Sequence, residues 1–243
     1  MKILFSPSES KSPENSKTDD LKSNLWQPEL FEKRKICIDL YNKILESNDE
    51  KAIQKLTGLK DTKGLNPISL SKEPLQKAVL RYTGVAYDYL DYKSLNKNEQ
   101  NFIDKNVLIF SNLFGPLLLG DNLPSYKLKQ GESLDGFKPE DFYQKEFKEV
   151  VDEFLKDEFV VDLRAGFYEK FYKITKPYVT LKFLKDNKVV SHWAKAYRGI
   201  VLKSIAKSNI QNEEEFMSMK IENLQIKEIK KQKNKTEIIY SIS

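Results

Sequence analysis

Residues 191–199, SHWAKAYRG, place the only histidine of the chain beside a lysine, an arginine and a glycine. At 100° per residue on a helix, the following residues share one broad face, opposite an apolar stripe: Lys195, Arg198, Gly199, Leu202, Lys203 and Ala206. A glycine there costs about 1 kcal/mol of helix stability relative to alanine, which suggests that something approaches the backbone closely. We therefore predict an anion-binding helix face, with a solvated lysine face as the alternative.

Two charged residues follow a predicted buried strand in the segment VVDLRAGFYEKFY (160–172). Asp162 and Arg164 occupy the position at which α/β sheets hold ligand-contacting groups, and Tyr168 lies shortly after the turn. A guanidinium at this position can hold a phosphate or a carboxylate through two hydrogen bonds. An internal Asp–Arg ion pair that orders the turn is the alternative.

A polar loop, SPSESK (6–11), follows the first predicted strand. Ser6, Glu9 and Lys11 reach the same sheet edge as Asp162 if the two strands run parallel. Glu9 and Asp162 are then candidates for a general acid or base. A polar loop without a chemical role is the alternative.

The segment AIQKLTGLKDTKGL (52–65) contains a glycine between two lysines. Its pattern over Leu56–Lys60 resembles the turn of a helix-hairpin-helix element, in which backbone N–H groups near Gly58 bind a DNA phosphate. Lys55 and Lys60 would supply positive charge beside that turn. The alternative is an ordinary helix end closed by glycine.

Several signatures of enzyme sites are missing from the sequence. It contains no dinucleotide-binding glycine motif, no phosphate-binding loop of the Walker type and no nucleophile elbow. Cys37 is the only cysteine and His192 the only histidine, so a Cys/His metal cluster cannot form and we predict neither a metal nor a cofactor. His192 is a candidate catalytic or helix-capping residue, and the other catalytic candidates are Glu9, Asp162 and Tyr168.

Composition indicates a folded protein whose charges nearly cancel. The 243 residues are 40% apolar and 12% aromatic, which suffices for a sizeable core. With 41 basic and 36 acidic residues the net charge is only +5, so nucleic acid would be bound only if the basic groups are clustered. The single cysteine is typical of a reducing cytosol, and no apolar stretch approaches the roughly 20 residues that span a bilayer. We therefore expect a cytoplasmic protein without a membrane partner.

Hydrophobic periodicity divides the chain into alternating strands and helices. Strands are predicted at 2–6, 106–115, 159–164, 178–190 as a hairpin, and 224–243 as two strands. Helices are predicted at 30–46, 50–56, 71–84, 94–106, 138–157 and 191–209, and residues 7–24 form a polar loop. This order predicts a single α/β domain over 1–243, with a mixed sheet flanked by helices, a helix-hairpin-helix-like element near 50–65 and antiparallel hairpins near the C-terminus.

Several segments together resemble the YaaA family, which is associated with bacterial peroxide stress. These segments occur in the family order: LFSPSESK, FSNLFGPLLLGDNLPSYKLKQG, VVDLRAGFYEKFY and SHWAKAYRGIVLKSI. YTGVAYDYL (82–90) is also similar to a short Phe/Tyr-x-Gly-x-x-Tyr element of the family. At the start, Glu9 stands where the enterobacterial pattern Ser-Pro-Ala-Lys-Thr has lysine, and Lys11 follows two positions later. This arrangement is similar to the Pro-Ser-Glu-Gly-Lys variant of other branches.

The resemblance implies a mixed α/β domain with a positively charged cleft, a helix-hairpin-helix element and binding of double-stranded DNA. It also implies a role in limiting oxidative damage by keeping unincorporated iron low. On this sequence the hairpin element maps to Leu56–Lys60, and the cleft maps to Lys11, Arg164, Lys195 and Arg198. The family carries no established reaction, so no mechanism follows from the resemblance.

Three hypotheses for function follow. The first is a stress protein without catalytic turnover that binds double-stranded or structured DNA through a basic cleft, with a small anionic ligand as another occupant of that cleft. The second is an enzyme acting on a nucleotide or nucleic acid, for example a glycosidic-bond hydrolase, in which Glu9 or Asp162 is the acid or base and Arg164 with Lys195 holds the anion. The third, direct iron handling, lacks suitable ligands in this sequence.

Overall fold

Residues 1–186 and 188–242 are described by the computed structural model, apart from the side chains of Val189, Ser191 and His192. The strands are β1 (Lys2–Phe5), β2 (Lys17–Asp19), β3 (Glu73–Lys77), β4 (Val107–Ser111), β5 (Gly115–Leu118), β6 (Asn122–Leu123), β7 (Val160–Asp162), β8 (Tyr178–Lys185), β9 (Lys188–Val189), β10 (Leu224–Gln232) and β11 (Lys235–Ile242). The α-helices are α1 (Phe31–Glu46), α2 (Glu50–Thr57), α3 (Ala78–Arg81), α4 (Val85–Leu90), α5 (Lys97–Asn106), α6 (Pro139–Glu146), α7 (Lys148–Leu155), α8 (Ser191–Ser208) and α9 (Glu213–Ser218). Short 3-10 helices occur at Lys22–Asn24, Pro28–Leu30, Tyr92–Ser94 and Gly166–Phe171.

A mixed sheet in the order β10-β11-β8-β7-β1-β4-β5 forms the centre of the molecule, and β9 pairs with β8. The strands β11, β8, β7, β1 and β4 are parallel to one another. The outer strands β5 and β10 are antiparallel to β4 and β11. A small antiparallel sheet, β2-β3-β6, lies apart from it. The predicted α/β class, with a mixed sheet and an antiparallel C-terminal hairpin, is confirmed.

The central strands are apolar on both faces because helices cover both sides of the sheet. Phe5 at the end of β1 packs edge-on against Tyr87 of α4, with ring centroids 5.7 Å apart. On β4, Phe110 lies parallel to the ring of Tyr172 at 6.4 Å. Ile109, the register partner of Phe5, shares its face, and the next residue, Phe110, points to the other. The same apolar cluster includes all of these side chains, so both faces belong to one continuous core.

Helix α8 is packed on two sides. Tyr197 stacks on Phe183 of β8 at 5.5 Å. A Cβ added to the buried Gly199 would lie 2.1 Å from the carbonyl oxygen of Ala86 in α4. Something does approach the glycine backbone closely, but it is another helix and not a ligand. Leu202 is also fully buried, although its spacing placed it on the outer face with the cations.

Two predicted helices differ from the structure. Residues 71–84 form strand β3 and the short helix α3, because two distant strands pair with β3. Leu75 pairs with Lys17 of β2, and Gln76 pairs with Leu123 of β6. Pro74 is compatible with such a short strand, and tertiary pairing overrides the local helical pattern. Residues 138–157 form two helices, α6 and α7, which are separated at the buried Phe147.

Helix α2 begins and ends as the sequence predicts, but no helix follows it. The Asp49 side chain accepts hydrogen bonds from two backbone N–H groups of the first turn, and Gly58 closes the helix with φ 71°. The Gly58 N–H donates to the carbonyl of Gln54 at 2.8 Å, and the Leu59 N–H donates to the hydroxyl of Thr57 at 3.3 Å. Residues 58–72 contain no helix. The second helix expected for a helix-hairpin-helix element is therefore not found, and the Gly58 and Leu59 N–H groups of its turn are already bonded.

No helix in the described part of the chain has the combined length and apolar character needed to cross a bilayer.

Candidate functional site

The candidate site lies at the carboxyl end of two neighbouring parallel strands, β1 and β7. The Ala165 N–H donates to the Ser6 hydroxyl at 2.8 Å, and the Leu163 N–H donates to the carbonyl of Leu4 at 2.8 Å. In the sheet, β4 lies beside β1 and β8 lies beside β7, on opposite sides of the pair. The chain therefore leaves β1 and β7 toward opposite sides of the sheet. Loops leaving in opposite directions open a crevice at this point, which is where open α/β sheets bind ligands.

One cavity of about 520 Å³ opens at this crevice, and we call it the Arg198 cavity. It is bounded by the loop that follows β1, by the start of α4, by the turn after β7 and by α8. Five residues singled out from the sequence lie in its wall: Ser6, Glu9, Tyr168, Lys195 and Arg198. The structure thus brings candidates from three distant segments to the wall of one cavity.

Arg198 carries a partly buried positive charge that the protein leaves without a direct partner. Burial lowers the pKa of its guanidinium, and the negative charges of Asp162 and Glu169 oppose that shift without contacting it. Among the side chains that the structure describes, no hydrogen bond or ion pair to Arg198 or to the exposed Lys195 is found. A desolvated guanidinium without a partner favours an anionic ligand at this position.

A second cavity, of about 640 Å³, lies on the other side of loop 6–11. We call it the Lys11 cavity. Its wall includes Lys11, Lys127 and the loop residues Gly64–Ile68, and it shares Glu9 and Ser10 with the Arg198 cavity. The two cavities are neighbours separated by the loop that leaves β1, and we refer to the pair as the cleft.

Lys11 is held between aromatic rings and carbonyl groups. Its Nζ lies 4.0 Å from the ring centroid of Tyr126 and 5.1 Å from that of Tyr82. It also donates to the carbonyls of Ser8, at 3.2 Å, and Glu9, at 3.5 Å.

The pKa of Lys11 is lowered to about 7, mainly by burial. The charge of Lys127 lowers it further, and that of Arg81 does so to a smaller extent. The carboxylate of Glu9 acts in the opposite direction. At neutral pH a large share of this amine is therefore uncharged.

Lys127 is a cation of the cleft that the sequence candidates did not include. Its Nζ donates to the Glu9 carbonyl at 3.3 Å, and the Glu9 carboxylate accepts from the Gln130 N–H at 2.7 Å. The segment that holds both residues, SYKLKQG (125–131), is among those that resemble the YaaA family. That resemblance was the available signal for Lys127.

Asp162 and Arg164 are used internally. The Arg164 Nε and Nη2 donate to the two carboxylate oxygens of Asp162, each at 2.8 Å. The remaining amino group donates to the carbonyls of Tyr168, at 3.2 Å, and Tyr172, at 2.8 Å. Both side chains are buried. The geometry thus favours the internal ion pair over a role in anion binding or acid–base chemistry.

The remaining basic candidates lie outside both cavities. Lys203 pairs with Asp91 at 2.9 Å, and Lys55 lies 3.5 Å from the carboxylate of Glu132. Lys60 is exposed, and Gly58 closes α2. These residues are therefore not assembled with Lys195 and Arg198.

His192 begins α8, but its side chain lies outside the described residues. Within the described part of the chain, no group of three or more His, Cys, Asp or Glu side chains could hold a metal ion.

Comparison with known sequences identifies relatives over the whole chain. A family model described as peroxide stress protein YaaA matches residues 1–230. An uncharacterized protein of Campylobacter jejuni is 43% identical over 244 residues, which cover 100% of this chain and 99% of the relative. A UPF0246 protein of Corynebacterium efficiens is 32% identical over 86% of each chain. A UPF0246 protein of Streptomyces coelicolor is 29% identical over 84% of this chain and 82% of its own.

Proposed function

Because the chain belongs to the peroxide stress protein YaaA family, we propose that it acts in the peroxide stress response by binding double-stranded or structured DNA in the two-part cleft. The DNA backbone would lie across the loop that separates the two cavities. Contacts to phosphates position a protein on DNA without reading its sequence, so little sequence preference is expected.

The observation that carries this proposal is a set of cations without acidic partners. Among the described residues, no ion pair within 4 Å involves Lys127, Lys195 or Arg198. By contrast, Lys203, Lys55 and the buried Arg164 each have an acidic partner. A cleft lined with such cations attracts a polyanion even though the net charge of the chain is only +5.

The proposed role in limiting oxidative damage is exerted on DNA, and any effect on unincorporated iron is indirect. The described residues offer no cluster of ligands for iron. This form of the proposal predicts that purified protein binds DNA without added metal.

Charge reversal inside the cleft tests the proposal. Lys195→Glu combined with Arg198→Glu places two negative charges on the wall of the Arg198 cavity and is expected to weaken duplex binding more than about tenfold at moderate salt. Lys97→Glu combined with Lys105→Glu is the matched control, because these residues are exposed on α5 and line neither cavity. Fluorescence anisotropy with a labelled duplex measures both. Equal loss in the two variants, or none in the first, would refute the proposed cleft.

A second candidate function is an enzyme acting on a nucleotide or nucleic acid. It is favoured by the volume of the Arg198 cavity, about 520 Å³, which lies within the range of small-ligand sites. Glu9 would be its acid or base, and Lys195 with Arg198 would hold the phosphate. Asp162 and Arg164 do not take part in this function, because their charges neutralise each other.

This second function predicts saturable binding of a mononucleotide that competes with duplex DNA. Isothermal titration with nucleoside monophosphates, followed by product analysis, would detect it. Glu9→Gln should preserve binding and abolish turnover. If no mononucleotide binds at millimolar concentration, the enzyme hypothesis fails while DNA binding is unaffected.

A further inference from the structure

The Lys11 amine has no carboxylate bonded to it, in the described part of the chain, that would hold its proton, and burial beside other cations favours its uncharged form. Its Nζ contacts the rings of Tyr82 and Tyr126 and two backbone carbonyls, and no carboxylate oxygen of the described residues lies within 4 Å. The nearby cations Lys127 and Arg81 disfavour a further positive charge. A lysine amine without its proton is a nucleophile, and desolvation beside other cations is a recognised way to obtain one.

The amine is also accessible from a space large enough for a ligand. Lys11 lines a cavity of about 640 Å³, which is sufficient for a sugar phosphate or for one nucleotide unit of a strand. Polar groups of the same wall include Asn15, Ser125 and the ammonium group of Lys127. A cation beside a nucleophilic amine is a suitable arrangement for a ligand that carries both a phosphate and a reactive carbonyl carbon.

We propose that Lys11 is a nucleophilic amine that forms a Schiff base with the aldehyde of a phosphate-bearing sugar, bound in the Lys11 cavity. Two sources present this chemistry: the open-chain sugar at an abasic position in DNA, and a free sugar phosphate. The first source rests on the proposed DNA binding, whereas the second does not.

The step balances without an oxidant, a reductant or a cofactor. The lone pair of the Lys11 nitrogen attacks the carbonyl carbon, forming a C–N bond and placing the electron pair of the C=O bond on oxygen. Two protons, both originally on the nitrogen of the neutral amine, reach that oxygen, which leaves as water while C=N forms. The Tyr126 hydroxyl, linked to Tyr82 at 2.9 Å and to Ser111 at 2.7 Å, stays protonated because burial raises its pKa, so it can act as a proton donor.

Borohydride reduction tests the proposal, since it converts the imine into a stable secondary amine. The full-length protein is incubated with a duplex containing one abasic position, or separately with ribose 5-phosphate, and then reduced. Intact mass and peptide mapping locate the adduct. We expect it on Lys11, and we expect Lys11→Met to lower its yield more than about tenfold. Lys105→Met is the matched control, because Lys105 is exposed and lines neither cavity.

A second variant separates loss of the nucleophile from loss of the long side chain or of folding. Lys11→Arg keeps a long side chain that can donate hydrogen bonds but is not nucleophilic, so it too should form no adduct, and a thermal melt verifies that each variant is folded. The groups facing Lys11 are Glu9, Arg81, Lys127, Tyr82 and Tyr126. With these groups in place, the yield of reduced adduct should increase with pH, with a midpoint at about pH 7, well below the ordinary lysine pKa of 10.5.

The two substrate arms identify the source. An adduct with the abasic duplex alone assigns the DNA aldehyde, and an adduct with ribose 5-phosphate alone assigns a free sugar phosphate. Absence of adduct in both arms, or an adduct that persists in Lys11→Met, overturns the proposal. Binding of an intact duplex is measured in the same samples. Binding without an adduct refutes only the Schiff base, and an adduct with ribose 5-phosphate without duplex binding refutes only the DNA proposal.

Discussion

At the scale of single residues, the hydrogen-bond partner of each cation decides whether that cation can bind a ligand. Arg164 and Arg198 are both arginines near the same crevice, yet Arg164 donates to a carboxylate and two carbonyls while Arg198 has no such contact with the described residues. The sequence placed both at the sheet edge but could not distinguish them. Short-range spacing predicts where a strand ends, whereas the direction of a guanidinium depends on neighbours such as Tyr172.

The internal ion pair leads to a prediction about stability. Arg164→Met leaves the buried Asp162 carboxylate without its partner, so the free energy of unfolding should fall by about 3–5 kcal/mol. Asp162→Asn combined with Arg164→Met should cost less than the single arginine variant, because no buried charge remains unpaired. Urea denaturation measures both. An Arg164→Met protein as stable as the wild type would contradict the internal role.

The lowered pKa of Lys11 leads to a pH-dependent prediction. The unfolded chain keeps its proton on Lys11 up to about pH 10.5, whereas the folded protein releases it near pH 7. Between these pH values the unfolded state binds more protons than the folded state, so the unfolding free energy rises with pH. Below pH 7 the buried charge on Lys11 destabilises the folded protein to its full extent.

Lys11→Met removes that dependence. The gain in unfolding free energy on replacing Lys11 with Met should be larger at pH 6 than at pH 9. The expected excess is about 1–2 kcal/mol, after allowance for solvent screening of a partly exposed group. Thermal or urea denaturation at the two pH values checks this. If wild type and variant differ in unfolding free energy by the same amount at both pH values, Lys11 is an ordinary charged lysine.

At the scale of elements, the cleft depends on how α8 packs against α4. The spacing of α8 predicted a helix and placed Lys195 and Arg198 together correctly. It assigned Gly199 to a ligand face, because periodicity describes two faces of a helix and this helix is covered by the sheet and by α4. The predicted helix over 71–84 differs for a similar reason, since pairing of β3 with two distant strands is invisible in a local pattern.

Gly199→Ala distinguishes the two interpretations of α8 by the sign of its effect. On a solvated face alanine would stabilise the helix by about 1 kcal/mol. The structure instead places the new methyl group 2.1 Å from the backbone oxygen of Ala86, so α4 must move and the protein should lose about 1–3 kcal/mol. Lys207→Ala, exposed near the end of α8, is the control and should change stability by less than about 0.5 kcal/mol.

At the scale of the whole molecule, the parallel strands bring distant segments to one edge. The alternation of strands and helices was sufficient to predict the α/β class, and the position of Ser6, Glu9 and Tyr168 after two buried strands was sufficient to predict a shared site. The division of the cleft by loop 6–11 was not predictable, because it depends on contacts such as that of Lys127 with the Glu9 carbonyl. The three cations of this cleft, Lys127, Lys195 and Arg198, carry the proposed function.

The dependence of DNA affinity on salt tests that central claim most directly. Each phosphate neutralised by a cation contributes about −0.9 to the slope of log K against log salt, so three contacts predict a slope of about −2.7. Lys195→Gln combined with Arg198→Gln should reduce the magnitude of this slope by about 1.8 and leave the remaining affinity salt-dependent. A duplex affinity independent of salt, or an unchanged slope in the variant, would contradict binding of DNA by this cleft.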